Sequence, residues 1–357
     1  MDRLKVLALN SGSSSLKFGL YDVGASDATV LLSGEVETKS TDDTQHAVVE
    51  ITARLTDAKM PMPHAVGHRV VHGGPSLRHH CLIDEAVIGQ LEAATAFAPL
   101  HIPPALAIIR FARKHFGDLP QVACFDTAFH TTMPDIARTL PIARDMRLLG
   151  IERYGFHGLS CESIVRQLGG DLPDRLIIAH LGNGASITAV RAGRSIDTSM
   201  GLTPTGGVIM GTRSGDLDPG ILVYLAREKS FDATMLEDLV DHKSGLQGIS
   251  GIASDMRLLR QAASSSADAR LAIEMFCYSV RKQVAAMIAA LGGIDRMVFT
   301  GGIGEHDAEA RAEICAGLSW AGVEATVLPS QEDEQIARHT RALIVINDAL
   351  TIAPTQS

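Results

Sequence analysis

The sequence predicts an α/β chain built on a duplicated domain, and three stretches carry that prediction. Near the N-terminus an apolar β run, Leu4 to Leu9, breaks into Asn10-Ser11-Gly12-Ser13-Ser14-Ser15 and resumes at Leu16-Lys17-Phe18. About 170 residues later Leu176-Ile177-Ile178-Ala179-His180 enters Leu181-Gly182-Asn183-Gly184 and leaves through the alternating run Ala185 to Val190. The third stretch, Met297-Val298-Phe299-Thr300, ends in the cluster Gly301-Gly302-Ile303-Gly304-Glu305 ahead of a helix. Small residues let backbone N–H groups approach an anion closely, and the serine hydroxyls and Lys17 add donors around it. Ser/Gly turns also close ordinary hairpins. Two such hairpins in one chain point to a repeated domain, each half supplying an anion-binding loop. The GxxxxGK[ST] loop does not occur.

The remaining elements follow in order. Val30 to Glu35 reads as a third strand, Thr38 to Gln45 as a polar loop, and Ala47, Val48, Ile51 and Leu55 recur at helical spacing. A strand near Ala65–Val71 is followed by helices near Asp84–Phe97 and Pro104–His115, with Pro103-Pro104 suited to a helix start. Gln121–Phe125 is a strand, and Arg138–Arg153, with Pro141 and little periodicity, is the expected crossing between halves. In the second half, strands around 176–198 precede helices near 218–228, 233–241 and 254–262, a polar linker Ser264–Asp268, and a long helix to Leu291. Gln331–Leu343 reads as the last helix.

Composition narrows the function. A length of 357 residues fits about two domains, and a net charge of −9 argues against a nucleic-acid surface. An anionic substrate must then be held by local cations. No run approaches ~20 apolar residues, and a strand begins directly after Asp2, unlike a signal peptide. Cys81, Cys124, Cys161, Cys277 and Cys315 are scattered without a CxxC pair, as expected for reduced cytoplasmic thiols.

The three stretches resemble, in this order, the phosphate-1, phosphate-2 and adenosine motifs of the actin, sugar-kinase and heat-shock-protein (ASKHA) superfamily. Within it the chain is similar to the acetate kinase (acetokinase) family over nearly its whole length. The matching segments are Asn10–Lys17, Gly67-His68-Arg69-Val70-Val71-His72-Gly73-Gly74, Ala98-Pro99-Leu100-His101 and Phe125-Asp126-Thr127-Ala128-Phe129-His130. They continue with Tyr154-Gly155-Phe156-His157-Gly158, His180–Gly184, Met210–Gly220 and Gly301–Glu305. The resemblance implies a two-domain ASKHA fold with a duplicated ribonuclease-H-like core and an interdomain active-site cleft. Residues 1–147 would form the acceptor-side domain, joined by the C-terminal helix about 333–357, and residues 148–332 the nucleotide domain.

The implied reaction is reversible, in-line phosphoryl transfer from ATP to acetate, giving acetyl phosphate and ADP. Propionate or butyrate kinase activity is the alternative within the family, and an ATP-binding switch protein the alternative outside it. An arginine beside a Gly-rich turn can grip a carboxylate or phosphate bidentately, and Arg69 stands in such a place. His68 and His72 are four apart, but on a strand, which argues against a zinc pair.

By resemblance, Arg69, Asp126, His157 and Arg213 are catalytic, and Arg69, Val71, Leu100 and Phe156 hold the acceptor. An acceptor carboxylate is already ionised at neutral pH, so orienting Arg69 is a better physical role for Asp126 than removing a proton. Nucleotide contacts carry over to Asn10, Ser13, Ser15, Lys17, His180, Leu181, Gly182, Asn183, Gly184, Asp255, Met256 and Arg257, and to Gly302, Ile303, Gly304, Glu305 and His306. Magnesium, or manganese in its place, is expected at Asn10 and Glu332, with Asp333 and Glu334 as neighbouring alternatives. The acidic run also suits a helix start. A homodimer through the C-terminal domain is implied, with no membrane or nucleic-acid partner.

The chain departs from the family where Leu-His-Asn-Pro is usual and Leu100-His101-Ile102-Pro103 stands here, so Ile102 is expected to alter acceptor size. The chain is also shorter than usual between Leu20 and Gly67 and between Glu305 and Glu332, and the tail from Leu343 runs beyond the expected last helix.

Overall fold

The computed structural model describes residues 3–12, 15–37 and 41–352. Its contacts divide the chain into two compact units. The first comprises Met1–Ala128, Gly158–Ser163 and Gln331–Ser357, and the second Phe129–His157 and Ile164–Ser330. The segment Arg138–Arg153 lies inside the second unit, with short helices at Asp135–Arg138 and Arg144–Arg147.

The first unit is organised on a sheet of β1 (Leu4–Ser11), β2 (Ser15–Val23), β3 (Ala28–Glu37), β4 (Ala65–Val70), β5 (Cys81–Leu82) and β6 (Gln121–Phe125), ordered β3-β2-β1-β4-β6-β5. β1, β2 and β3 form an antiparallel meander, while β4 is parallel to β1 and β6 parallel to β4. β1 is buried on both faces, and its period of two separates two cores. Leu7 and Leu9 pack with Val48 and Ile51 of helix Thr41–Asp57 and with Ile108 of helix Ile102–Phe116. Val6 and Ala8 pack with Ile336, Ala337 and Ile344 of the C-terminal helix Glu332–Ile352. Gly67 on β4 permits that approach, since a Cβ there would collide with the Thr340 hydroxyl and the Ile336 side chain.

The second unit repeats the plan with β7 (Arg175–Leu181), β8 (Ala185–Arg191), β9 (Arg194–Thr198), β10 (Arg296–Thr300) and β11 (Ala325–Val327), ordered β11-β10-β7-β8-β9. β7, β8 and β9 are antiparallel, and β10 and β11 run parallel to β7. With the two-residue edge strand β5 set aside, both sheets have a first, central strand flanked by its hairpin on one side and parallel strands on the other. The duplication read from two hairpins is therefore present as a repeated ribonuclease-H-like topology. The long helix Ala267–Leu291, capped by Ser266, lies against β7 and β8 through residues such as Phe276, Val280 and Val284.

Three local expectations are corrected, and the place of Ile102 is found. The polar stretch read as a loop to Gln45 becomes helical from Thr41, and residues 38–40 lie outside the described part. Thr and Asp are helix-start residues as readily as loop residues. The last helix continues beyond Leu343 to Ile352, because Ile344 is buried against the first sheet with Leu343 and Val345 beside it. Residues 353–357 are outside the described part. The cluster from Gly301 does not precede a helix but is itself the helix Gly301–His306. Ile102, expected beside the acceptor, is 1% exposed in a core with Val70, Leu91, Ile109 and Phe125. It is the first residue of its helix and turns onto the sheet.

Candidate active site

In the first unit the residues of interest stand at the carboxyl ends of the parallel strands, the usual place for ligands in such sheets. Arg69 is on β4, Asp126 directly follows β6, and Asn10 is near the end of β1. Arg69 Nε and Nη2 both donate to Asp126 Oδ2, at 3.0 and 2.6 Å, while Nη1 donates to Asn10 Oδ1 at 3.3 Å and to the Ser11 carbonyl at 3.1 Å. Asp126 is 1% exposed, and its Oδ1 has no hydrogen-bond partner among the described residues. Burial pushes the Asp126 carboxyl above its ordinary range, against the pull of Arg69, and Glu332 adds to the push. Burial also works against the Arg69 charge, but Asp126 and Glu332 outweigh it and hold the guanidinium protonated.

The start of the C-terminal helix meets Asn10. Asn10 Nδ2 donates to Glu332 Oε2 at 3.1 Å and to Asp333 Oδ1 at 2.7 Å. Burial raises the Asp333 carboxyl, partly offset by Asn10. Glu334 instead accepts from Arg338 one turn on, at 2.8 Å. Two carboxylates and an amide thus converge, and Arg69 lies on the other side of that amide. Lys17 pairs with Asn10 across the β1–β2 ladder and is exposed, and the Ser15 hydroxyl donates to Glu35. Ser13 lies outside the described residues. Val71 is buried and Leu100 is exposed.

In the second unit, His157 has a left-handed backbone (φ 59°) at the start of helix Gly158–Leu168. Its Nδ1 is 3.0 Å from the Ser186 hydroxyl, and its ring stacks on His180 with centroids 4.1 Å apart. Gly184 brings the chemistry together. A Cβ built on it would stand 3.2 Å from His157 Nε2 and 3.3 Å from Arg213 Nη1, so the bare backbone leaves space that both side chains border. Arg213 is oriented by the Pro204 carbonyl, which accepts from Nη1 at 3.1 Å. The Gly182 and Gly302 backbones are neighbours, and a Cβ on Gly302 would meet nothing within 4 Å.

Other expected nucleotide residues occupy structural roles. Glu305 Oε1 accepts from the Gly301 and Ser330 N–H groups, both at 3.0 Å. Asp255 caps its helix by accepting from the Arg257 N–H and pairs with the exposed Arg257 side chain at 2.6 Å, and Met256 is buried. Gly304 is buried, Ile303 half-buried and His306 exposed. Leu181 and Phe156 are buried, and the Phe156 carbonyl lies 2.9 Å from His130 Nε2. Asn183 approaches Gly211, whose N–H donates to its carbonyl at 3.0 Å. Sequence reading did not single out Ser186, the partner of His157. Its position on β8 one residue beyond Ala185, directly after the Gly182–Gly184 turn, is the signal that could have found it.

Comparison with known proteins follows the same lines. The sequence pattern described as the Acetokinase family matches residues 5–353. An acetate kinase from Solibacter usitatus is 49% identical over 78% of this chain and 68% of the relative. The crystal structure of Porphyromonas gingivalis acetate kinase aligns with a TM-score of 0.82 at 34% identity, covering 96% of this chain and 100% of that one. A propionate kinase from Francisella tularensis aligns with a TM-score of 0.85 at 35% identity and the same coverage. With two repeated sheets, charged groups at the strand ends of one and a glycine turn beside His157 and Arg213 in the other, the chain belongs to the acetokinase family.

Proposed function

We propose that this chain transfers the γ-phosphoryl group of ATP reversibly to acetate, giving acetyl phosphate and ADP by direct in-line displacement. The observation that carries this reading is Arg69, fixed by Asp126 and Asn10 beside the paired carboxylates Glu332 and Asp333. The acceptor carboxylate is ionised at neutral pH and is itself the nucleophile, so no base is required. Asp126 then acts by orienting Arg69. Both donors on one carboxylate oxygen fix the guanidinium plane, and Nη1 is fixed by Asn10 and Ser11. Arg69 holds the acceptor, with Val71, Leu100 and Phe156 assigned to its alkyl end.

His157 and Arg213 are assigned to the charge that spreads over the equatorial oxygens during transfer, where preorganised donors lower the barrier most. Ser186 and Pro204 hold these two side chains, which supports fixed rather than adaptive donors. The nucleotide is assigned to Ser13, Ser15, Lys17, His180, Leu181–Gly184, Asp255–Arg257 and Gly302–His306. The Glu332 and Asp333 carboxylates are hard-oxygen donors that fit magnesium, and manganese as a substitute; Asn10 faces them with Nδ2 and gives its Oδ1 to Arg69, so its amide would have to turn over to join them. When bound, the ion supplies charge neutralisation on the nucleotide phosphates.

Hydroxylamine trapping of the acyl phosphate, with and without acetate, tests the reaction. ATP hydrolysis without acetyl hydroxamate would refute it and favour an ATP-dependent switch. The structural likeness to a propionate kinase supports a second reading. Since a methylene is worth only about 1–3 kcal/mol of discrimination, kcat/KM for acetate, propionate and butyrate must be measured side by side.

A homodimer through the second unit is supported by helix Pro219–Glu228, which has no buried residue and exposes Ile221, Val223 and Tyr224. A monomer mass in sedimentation equilibrium would refute that assembly. Among the described residues no helix is long and apolar enough to cross a membrane, and the five cysteines are free. Both support a cytoplasmic location, which fractionation of the native cells checks.

A further inference from the structure

Outside the residues assigned to the reaction, three side chains from separate elements of the first unit converge. They are His80 from the segment before β5, Glu162 from helix Gly158–Leu168 and His339 from the C-terminal helix, with candidate ligand atoms all within 4.8 Å of one another. Glu162 Oε2 is 2.6 Å from His339 Nε2, Glu162 Oε1 is 3.6 Å from His80 Nε2, and the two rings lie 4.0 Å apart. Two histidines and a carboxylate are a possible metal set.

The far side of His80 decides against a metal. The Phe125 N–H donates to His80 Nδ1 at 3.0 Å. A ring nitrogen that accepts a hydrogen bond carries no proton, so neutral His80 keeps its proton on Nε2, the atom that would have to offer a lone pair to a metal. Metal-bound histidines show the reverse arrangement, donating from the other nitrogen. The protonated Nε2 lies 3.6 Å from Glu162 Oε1 and has no hydrogen-bond partner among the described residues.

This hydrogen bond occupies a particular place. β5 pairs with β6 only as Cys81 with Ala123 and Leu82 with Val122, so the backbone ladder stops before Phe125. His80 supplies the acceptor that a longer strand would have supplied. On the other edge, the Asp126 N–H donates to the Val70 carbonyl at 3.1 Å. The two bonds clamp the corner from which the Asp126 carboxylate reaches Arg69.

We propose that His80, packed beside Glu162 and His339, is a positioning residue that fixes the Phe125–Asp126 corner and releases it when its ring takes a second proton. The proposal rests on the phosphoryl-transfer reading given above. A doubly protonated imidazole has N–H on both nitrogens and cannot accept from Phe125. The groups facing it set when that happens. Burial, His339 and the adjacent His79 hold His80 neutral, while Glu162 favours the charged ring. The buried Cys124 thiol on β6 and Asp126 just after that strand feel the same Glu162 carboxylate, and Cys81 of β5 lies near Cys124.

Two substitutions at one position test this. His80→Asn keeps an acceptor close to the Nδ1 position and cannot titrate, whereas His80→Ala removes the acceptor. In the acetate-dependent assay, His80→Ala should lower kcat about tenfold with little change in KM for ATP, and His80→Asn should restore it to within about twofold. The acid limb of the kcat profile should move to lower pH in His80→Asn. Amide hydrogen exchange at Phe125 should be faster in His80→Ala and remain slow in His80→Asn. Unchanged kcat in His80→Ala, equal loss in both variants, or an unmoved acid limb overturns the proposal. So does stoichiometric zinc binding that His80→Ala abolishes. If the wild-type chain makes no acyl phosphate, the functional reading fails, and Phe125 exchange still decides whether the clamp exists.

Discussion

Replacing Arg69 by alanine removes four hydrogen bonds, two to Asp126 Oδ2, one to Asn10 and one to the Ser11 carbonyl. The damage should appear separately in stability and in rate. Asp126 is 1% exposed and already has one unpartnered oxygen, so without the guanidinium it has no compensating cation. An ionised carboxylate stranded in that way costs about 3–5 kcal/mol. The alternative is protonation, which burial already favours against the pull of Arg69.

The sign of the pH dependence follows. A carboxyl whose folded pKa lies above its unfolded value binds more protons when folded, so its contribution to stability falls as pH rises through that interval. Removing Arg69 raises the folded value further and widens the interval. The stability deficit of Arg69→Ala should therefore be smallest near pH 5 and largest near pH 8, read from melting curves at about half-unit steps. Activity should fall by about 10²–10³ in kcat/KM, the roughly 2.7–4 kcal/mol that one preorganised donor contributes in comparable charge-stabilising sites. The double variant Arg69→Ala/Asp126→Asn separates the effects, since the neutral amide abolishes the pH-dependent deficit without restoring turnover. Retention of more than about a tenth of wild-type kcat/KM would refute the catalytic assignment of Arg69. A pH-independent deficit would refute its pairing with an ionised Asp126.

Three further outcomes are expected. Ile102→Asn should destabilise the chain by at least the ~1–3 kcal/mol of a buried unsatisfied amide, measured by the denaturant midpoint, and leave the acetate-to-propionate ratio of kcat/KM unchanged. A shifted ratio in a fully stable variant would return Ile102 to the acceptor pocket. Glu332→Ala and Asp333→Ala should each raise the magnesium concentration for half-maximal rate, whereas Glu334→Ala, which loses its ion pair with Arg338, should not; an effect of Glu334→Ala alone would displace the proposed ion. Gly184→Ala should lower kcat about tenfold with intact folding, because its methyl takes the space between His157 and Arg213, and wild-type turnover in this variant would show that the space is not used.

What could be read in the sequence divides along physical lines. The alternation of Val6, Leu7, Ala8 and Leu9 assigns opposite faces to two cores, and both cores exist. Capping residues such as Asp84, Asp232 and Ser266 accept from the first turns of their helices, so those starts are local signals. The start at Thr41 was not legible, since Thr-Asp-Asp-Thr-Gln is polar all round and is drawn into a helix only by the Ala47–Leu55 stripe that follows. β11 has three residues and no period to detect. The burial of Ile102 was not legible, because a comparison of residue types says nothing about direction, and the first residue of this helix packs into the core beside the sheet. The meeting of Asn10 with Glu332, 322 residues apart, follows from no local rule. Resemblance nominated the pair, and the packing of the C-terminal helix on β1 brings it together.

The duplicated topology explains why one fold can host two unlike chemistries. In each sheet the central strand and its parallel neighbours end on the same edge, so equivalent positions in the two repeats are free to diverge without altering the core. In the first repeat those ends carry side-chain charge, with Asn10 near the end of β1, Arg69 at the end of β4 and Asp126 after β6. In the second, β7 ends at His180-Leu181 before a glycine turn, and β10 ends at Thr300 before Gly301-Gly302. One repeat thus presents ionised groups that hold one another in fixed directions, and the other presents bare backbone with His157 and Arg213 beside it. Phosphoryl transfer to a carboxylate needs both kinds of surface, because a small anion must be gripped by charge while a polyphosphate is better followed by close-lying N–H groups. Exchanging the glycines for side chains, or Arg69 for an uncharged residue, should damage different steps of the same reaction for that reason.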